Sequence, residues 1–134
     1  MNVLGKKGEE LVSKHYQKLG YKILDSNYIF PRGKQIGEID LVCQKNREIV
    51  FVEVKTRTST RFGTPFEAVD RNKQRKLIKT CKLYLQIHPQ YHDFDCRIDV
   101  AAVDIDPVRG GASNGVDNKQ DPVIILTNAI EDLD

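Results

Sequence analysis

"GEIDLVCQKNREIVFVEVKTR", residues 37–57, reads as two apolar strands joined by a tight turn, and its charges decide the fold. Side chains alternate along an extended chain, so Val50, Val52 and Val54 share one face of the second strand. Glu53 and Lys55 share the other. A two-residue turn at Asn46-Arg47 sets Asp40 opposite Glu53 and Glu38 opposite Lys55, and a bulge would shift that pairing by one. Charges thus sit among the Ile, Leu, Val and Phe expected to fill a core. Burying them costs on the order of several kcal/mol unless a partner or ligand compensates.

Upstream, residues 3–19 have helical periodicity. Leu4, Gly8, Leu11, Val12, His15, Tyr16 and Leu19 fall on one face, Glu10 points to solvent, and Glu9 lies at the margin. Gly20 supplies the left-handed residue that commonly ends a helix. "YKILDSNYIF" (21–30) predicts a strand and "PRGK" (31–34) a turn.

Downstream, "TSTRFGTP" (58–65) reads as a loop. A second helix is predicted from about Pro65 to Ile87, its apolar face formed by Leu77, Ile78, Cys81, Tyr84 and Leu85. Arg71, Arg75, Lys76, Lys79 and Lys82 lie broadly opposite, and Gln74 projects on the apolar side. "FDCRIDVAAVDI" (94–105) is a strand reached by a helical crossover, hence parallel to the third. "PVIILTNAI" (122–130) is a short last strand. Residues 107–121, rich in Gly, Asn and Asp, predict a flexible insertion. The order is helix, three strands, helix, two strands: one α/β domain over 1–134, with a mixed sheet flanked by helices.

The 134 residues suffice for one core, and 40% hydrophobic with 30% charged residues suits a globular chain. A net charge of +2 implies no partner by itself. No apolar run is long enough to span a bilayer, and the first residues lack the apolar middle of a secretory signal. Cys43, Cys81 and Cys96 have neither disulfide nor zinc-site spacing, and His15, His88 and His92 form no ligand pattern. A cytoplasmic protein is expected.

The embedded charges fit a site for phosphodiester hydrolysis. Mg²⁺ and Mn²⁺ take hard oxygen donors, which Asp40, Glu53 and the Val54 carbonyl can supply from rigid backbone. Lys55 can orient the attacking water or neutralise the phosphate, and Glu9 can complete the shell through a water. An acid-x-Lys triplet alone carries no weight, since about two are expected from composition. Asp117-Asn118-Lys119 is indeed another. The distinguishing feature of "VEVK" is its apolar strand beside a second embedded acid. The competing reading is a solvated ladder of cross-strand pairs such as Glu38–Lys55. Candidate nucleic-acid contacts are Arg57, Arg61, Lys73, Gln74, Arg75, Lys76 and Lys79, against the reading that the basic stripe is simply a wet helix face.

"GKKGEE" at 5–10, "GEIDLV" at 37–42, "VFVEVKTRT" at 50–58, "RFGTPFEAV" at 61–69 and "KQRKL" at 73–77, with "NAI" at 128–130, together resemble the YraN-like family of bacterial proteins. That family is related to Holliday junction resolvases and the PD-(D/E)xK nuclease superfamily. The resemblance implies a restriction endonuclease-like αβββαβ core. In it Glu9 matches the acid of the first helix, Asp40 the motif aspartate, Glu53 the second carboxylate and Lys55 the catalytic lysine. Ile39 stands where the superfamily label has proline. The implied activity is a Mg²⁺- or Mn²⁺-dependent DNA endonuclease favouring branched DNA. The alternative is a non-catalytic nucleic-acid-binding or assembly module that keeps the fold. A homodimer would suit cutting both strands of a junction.

Overall fold

A computed structural model describes residues 3–30, 37–57, 70–105 and 122–130. Helix α1 spans Val3–Lys18, strand β1 Lys22–Ile29, β2 Glu38–Lys45 and β3 Glu48–Arg57. Helix α2 spans Arg71–Gln86, followed by a single 3₁₀ turn at Pro89–Tyr91, then β4 (Asp95–Asp104) and β5 (Val123–Ile130). The strands form one sheet in the order β1-β2-β3-β4-β5. β3 and β4 run parallel from Glu48–Asp95 to Arg57–Asp104, and the other pairs are antiparallel. This is the expected αβββαβ arrangement with β5 added at the edge.

The two helices cover opposite faces. Val12 and Tyr16 of α1 pack with Leu41, Cys43, Val50, Val52, Ala101 and Val103. Leu77, Cys81 and Tyr84 of α2 pack with Ile39, Val42, Ile49, Phe51, Ile98 and Val100. The alternation of β3 therefore resolves as read: valines toward α1, and Ile49 and Phe51 toward α2. A central strand buried on both sides explains its nearly continuous apolar run.

Two details of the helices differ from expectation. α1 ends at Lys18 and Gly20 takes φ +97°, so Leu19 falls in the turn and is 51% exposed rather than on the apolar face. α2 begins at Arg71, with extended Asp70 accepting the Lys73 N–H at 2.8 Å as its cap. The expected start near Pro65 lies outside the described residues, as do the "PRGK" turn, the loop containing Arg61 and the 107–121 insertion.

Asp99 of β4 is fully buried beneath α1 and satisfied on every side. It accepts from Tyr16 Oη at 2.8 Å, Arg97 Nε at 2.9 Å and the Asn128 N–H at 2.8 Å, while Arg97 also pairs with Glu48 at 2.8 Å. Nothing in the sequence marks this network. Cys43, Cys81 and Cys96 are not joined in disulfides. His88 and His92 hydrogen-bond the Tyr84 and Leu85 carbonyls, and His88 stacks on Tyr84. No helix among the described residues is long and apolar enough to cross a membrane.

Candidate active site

The β2–β3 ladder runs from Lys45–Glu48, closed by Asn46-Arg47, to Leu41–Val52. This is the two-residue register, with no bulge. Continued one step, it sets Asp40 beside Glu53. There backbone pairing stops, while β3 continues along β4 to Arg57. The Asp40 carboxylate takes over, accepting the Val54 N–H at 2.7 Å. An aspartate at this point satisfies a backbone donor that the departing strand leaves open.

Two glycines bring the helices to this spot. A Cβ on Gly8 would stand 2.0 Å from Thr56 Oγ1, so α1 can touch the end of β3 only without a side chain there, which delivers Glu9 to the site. A Cβ on Gly37 would stand 2.5 Å from Thr80 Oγ1, so α2 presses on the entry to β2 in the same way. These contacts give a steric reason for the glycines of "GEE" and "GEID".

Asp40 is only 9% exposed, and Glu53, Lys55 and Glu9 are half-buried. Burial, first of all, raises the Asp40 carboxyl above its usual range, although the Val54 N–H and the hydrogen bond with Glu53 oppose this. Glu53 is pushed up to about 8 by burial and then by the Asp40 charge, against Lys55. The two carboxyls share a hydrogen bond, so one of them holds a proton. Burial lowers Lys55, helped by contact with the Lys73 ammonium and opposed by Glu53 and Asp40. Glu9 is raised by burial and by Asp40, while a hydrogen bond from Asn27 favours its charged form.

The four residues singled out as catalytic therefore form one electrostatic cluster. Lys73 joins it: a nucleic-acid contact by its sequence context, it is set against Lys55 and Glu53 by the first turn of α2. Arg75, Lys76 and Lys79 are exposed along the same helix, and Gln74 is half-buried. The Arg57 backbone ends β3 opposite Asp104, and Arg61 lies outside the described residues. A buried Asp40 hydrogen-bonded to a half-buried Glu53 does not match a solvated ladder. Glu38 is the exposed member, paired on the β1 side with Ile29.

Among the described residues no three His, Cys, Asp or Glu side chains gather around one ion position. The residues that could hold an ion are the two carboxylates, Asp40 and Glu53, which share a hydrogen bond. These are hard oxygens, and a carboxyl pair that must otherwise retain a proton is the setting in which a divalent cation can replace it. A pair of this chemistry could take a hard divalent ion such as Mg²⁺ or Mn²⁺.

Residues 8–103 match the model of a family described as the uncharacterised protein family UPF0102. The chain belongs to that family. UPF0102 corresponds to the YraN-like family whose motifs the sequence resembles. The matched span contains Glu9, Asp40, Glu53, Lys55 and Lys73 and stops before β5. A UPF0102 protein of Syntrophomonas wolfei is 51% identical over 88 residues, covering 66% of this chain and 73% of the relative. One from Caldanaerobacter subterraneus subsp. tengcongensis is 41% identical over 104 residues, covering 78% and 81%. One from Chloroherpeton thalassium is 40% identical over 110 residues, covering 82% and 81%.

Proposed function

We propose that this UPF0102 protein is a Mg²⁺- or Mn²⁺-dependent DNA endonuclease that hydrolyses phosphodiester bonds, with branched DNA among its substrates. The observation that carries this reading is the Asp40–Glu53 carboxyl pair at the point where β2 and β3 part, with the Lys55 amine beside it. Glu53 and Lys55 share the α2-facing side of β3, and Asp40 comes from its neighbour.

Asp40, Glu53 and the Val54 carbonyl would hold the cation. A bound ion supplies an acidified water and neutralises charge at the phosphate. Lys55 donates hydrogen bonds to the attacking water or to the phosphate oxygen on which negative charge builds. Lys73 adds a second cation on the side from which a polyanion approaches. Glu9, beside Asp40, would accept a hydrogen bond from a water there. Cutting both strands of a junction needs two such sites, so a homodimer belongs to the same proposal.

The test is incubation of purified protein with branched, single-stranded and linear duplex DNA and each metal. Metal-dependent cleavage lost in both Asp40→Asn and Glu53→Gln supports the assignment. Cleavage that survives either change refutes it.

A second reading has its own support in the cations that α2 turns toward solvent, Arg71, Arg75, Lys76, Lys79 and Lys82. They favour binding to a phosphate backbone without chemistry. That reading expects metal-independent binding whose log affinity falls with log salt, and no cleavage with any metal.

A further inference from the structure

Among the described residues, three asparagines have left-handed backbones: Asn27 at φ 53°, Asn46 at φ 52° and Asn128 at φ 53°. Non-glycine residues rarely take this conformation, and asparagine tolerates it best. Two of the three have a local reason. Asn46 makes the β2–β3 turn. Asn128 sits where the β4–β5 register shifts, its N–H held by buried Asp99. Asn27 lies within β1, where the pairs on either side, Ser26–Leu41 and Tyr28–Ile39, keep one register. That register sets Asn27 opposite Asp40.

What the kink changes is the facing of side chains. Asp25 accepts the Tyr84 hydroxyl at 2.7 Å, and Tyr28 meets the Tyr84 ring edge-on at 5.0 Å. Both therefore reach the α2 layer. In a regular strand, residues three apart point to opposite faces. The neighbouring strand does the same, since Ile39 and Val42 both pack in the α2 cluster with Asp40 between them. A matched irregularity thus crosses both strands at Asn27 and Asp40. On it, the Asn27 side chain hydrogen-bonds Glu9, which comes from α1 on the other face of the sheet.

We infer that Asn27 is a positioning residue, whose left-handed backbone aims its amide at Glu9 and holds that carboxylate beside Asp40. What Glu9 then does, completing the ion's shell through water, rests on the nuclease reading. Where Glu9 is held does not. The alternative that Asn27 only shapes the strand is separable, because glycine adopts the same backbone without the amide.

The test compares Asn27→Gly, Asn27→Asp, Glu9→Gln and the Asn27→Gly/Glu9→Gln double variant. Mn²⁺ affinity is measured calorimetrically, alongside cleavage of branched DNA and urea unfolding of the metal-free protein. Asn27→Gly is expected to stay folded, bind Mn²⁺ about tenfold more weakly and cut as slowly as Glu9→Gln. The double variant should lose no more, and Asn27→Asp should do worse than Asn27→Gly, because its carboxylate repels Glu9. Wild-type Mn²⁺ affinity and cleavage in Asn27→Gly, or additive losses in the double variant, overturn the inference. A wild-type protein that neither binds Mn²⁺ nor cuts sinks the nuclease reading instead. The unfolding cycle then decides alone: non-additive effects of Asn27→Gly and Glu9→Gln uphold the holding contact, and additive ones remove it.

Discussion

Asp40 reaches across from β2 to accept the Val54 N–H of β3 at 2.7 Å, and its carboxyl is also hydrogen-bonded to Glu53. One side chain thus closes the ladder and forms half of the proposed ion site. The two roles separate by substitution. Asparagine keeps an acceptor for Val54 and removes a charge. Asp40→Asn should therefore melt within a few degrees of wild type without metal, lose the rise in Tm that Mn²⁺ confers on wild type, and cut DNA at least about 100-fold more slowly. Asp40→Ala abandons the Val54 N–H and should cost about 1–3 kcal/mol in urea unfolding.

The carboxyl pair also predicts how stability depends on pH. Glu53 rises from an ordinary 4.5 to about 8 in the folded protein. The fold therefore favours its protonated form. That contribution is fully present below pH 4.5 and is lost as pH rises toward 8. The metal-free protein should fall in Tm across this window, and Glu53→Gln should flatten the fall. Mn²⁺ competes with the proton, so its stabilising shift should grow with pH over the same range. A Tm that climbs from pH 5 to 8 without metal would contradict the assignment.

Helix docking can be tested at Gly8. An alanine in the middle of a helix ordinarily gains up to about 1 kcal/mol over glycine. Here its Cβ would stand 2.0 Å from Thr56 Oγ1, so Gly8→Ala should instead cost about 1–3 kcal/mol and move Glu9 away from the site. Thr56→Ala removes the obstructing oxygen, and the Gly8→Ala/Thr56→Ala pair should recover most of the loss in urea unfolding. A simple sum of the two single effects would count against this contact.

Asp99 should matter for folding and not for metal. Asp99→Ala leaves Arg97, Tyr16 Oη and the Asn128 N–H without their shared acceptor, and should cost about 3–5 kcal/mol. Where the variant remains folded, its Mn²⁺ affinity should match wild type.

For the basic face of α2, reversing Arg75, Lys76 and Lys79 to glutamate should flatten the slope of log affinity against log salt, by roughly one for each phosphate that these side chains neutralise. An unchanged slope would remove this face from the DNA interface.

Much of this architecture is legible in the sequence, because the signals are local. Alternation along β3 sorts the valines from Glu53 and Lys55, Asn46-Arg47 sets the hairpin register, and helical periodicity finds both helices. Leu19 misleads because its spacing places it on the apolar face, whereas the helix ends one residue earlier, at Lys18. Lys73 stands out only for its charge in a basic stripe. Its contact with Lys55 depends on how α2 docks at Gly37, which no wheel contains. Asp99 looks like any acid near a strand end until Tyr16, Arg97 and Asn128 converge on it across 83, 2 and 29 residues of chain. Asn27 is invisible for a related reason: the residue it stands opposite, Asp40, and the one its side chain hydrogen-bonds, Glu9, are both remote in sequence.

The close approaches at Gly8 and Gly37 have an evolutionary corollary. Each helix is anchored to the sheet by direct contact beside the clustered charges, so their spacing is not dictated by the connecting segments. Those connections can be lengthened, shortened or rewritten while the clustered charges keep their spacing. Diversity should therefore accumulate around a fixed centre, with the two glycines acting as the points that hold it still.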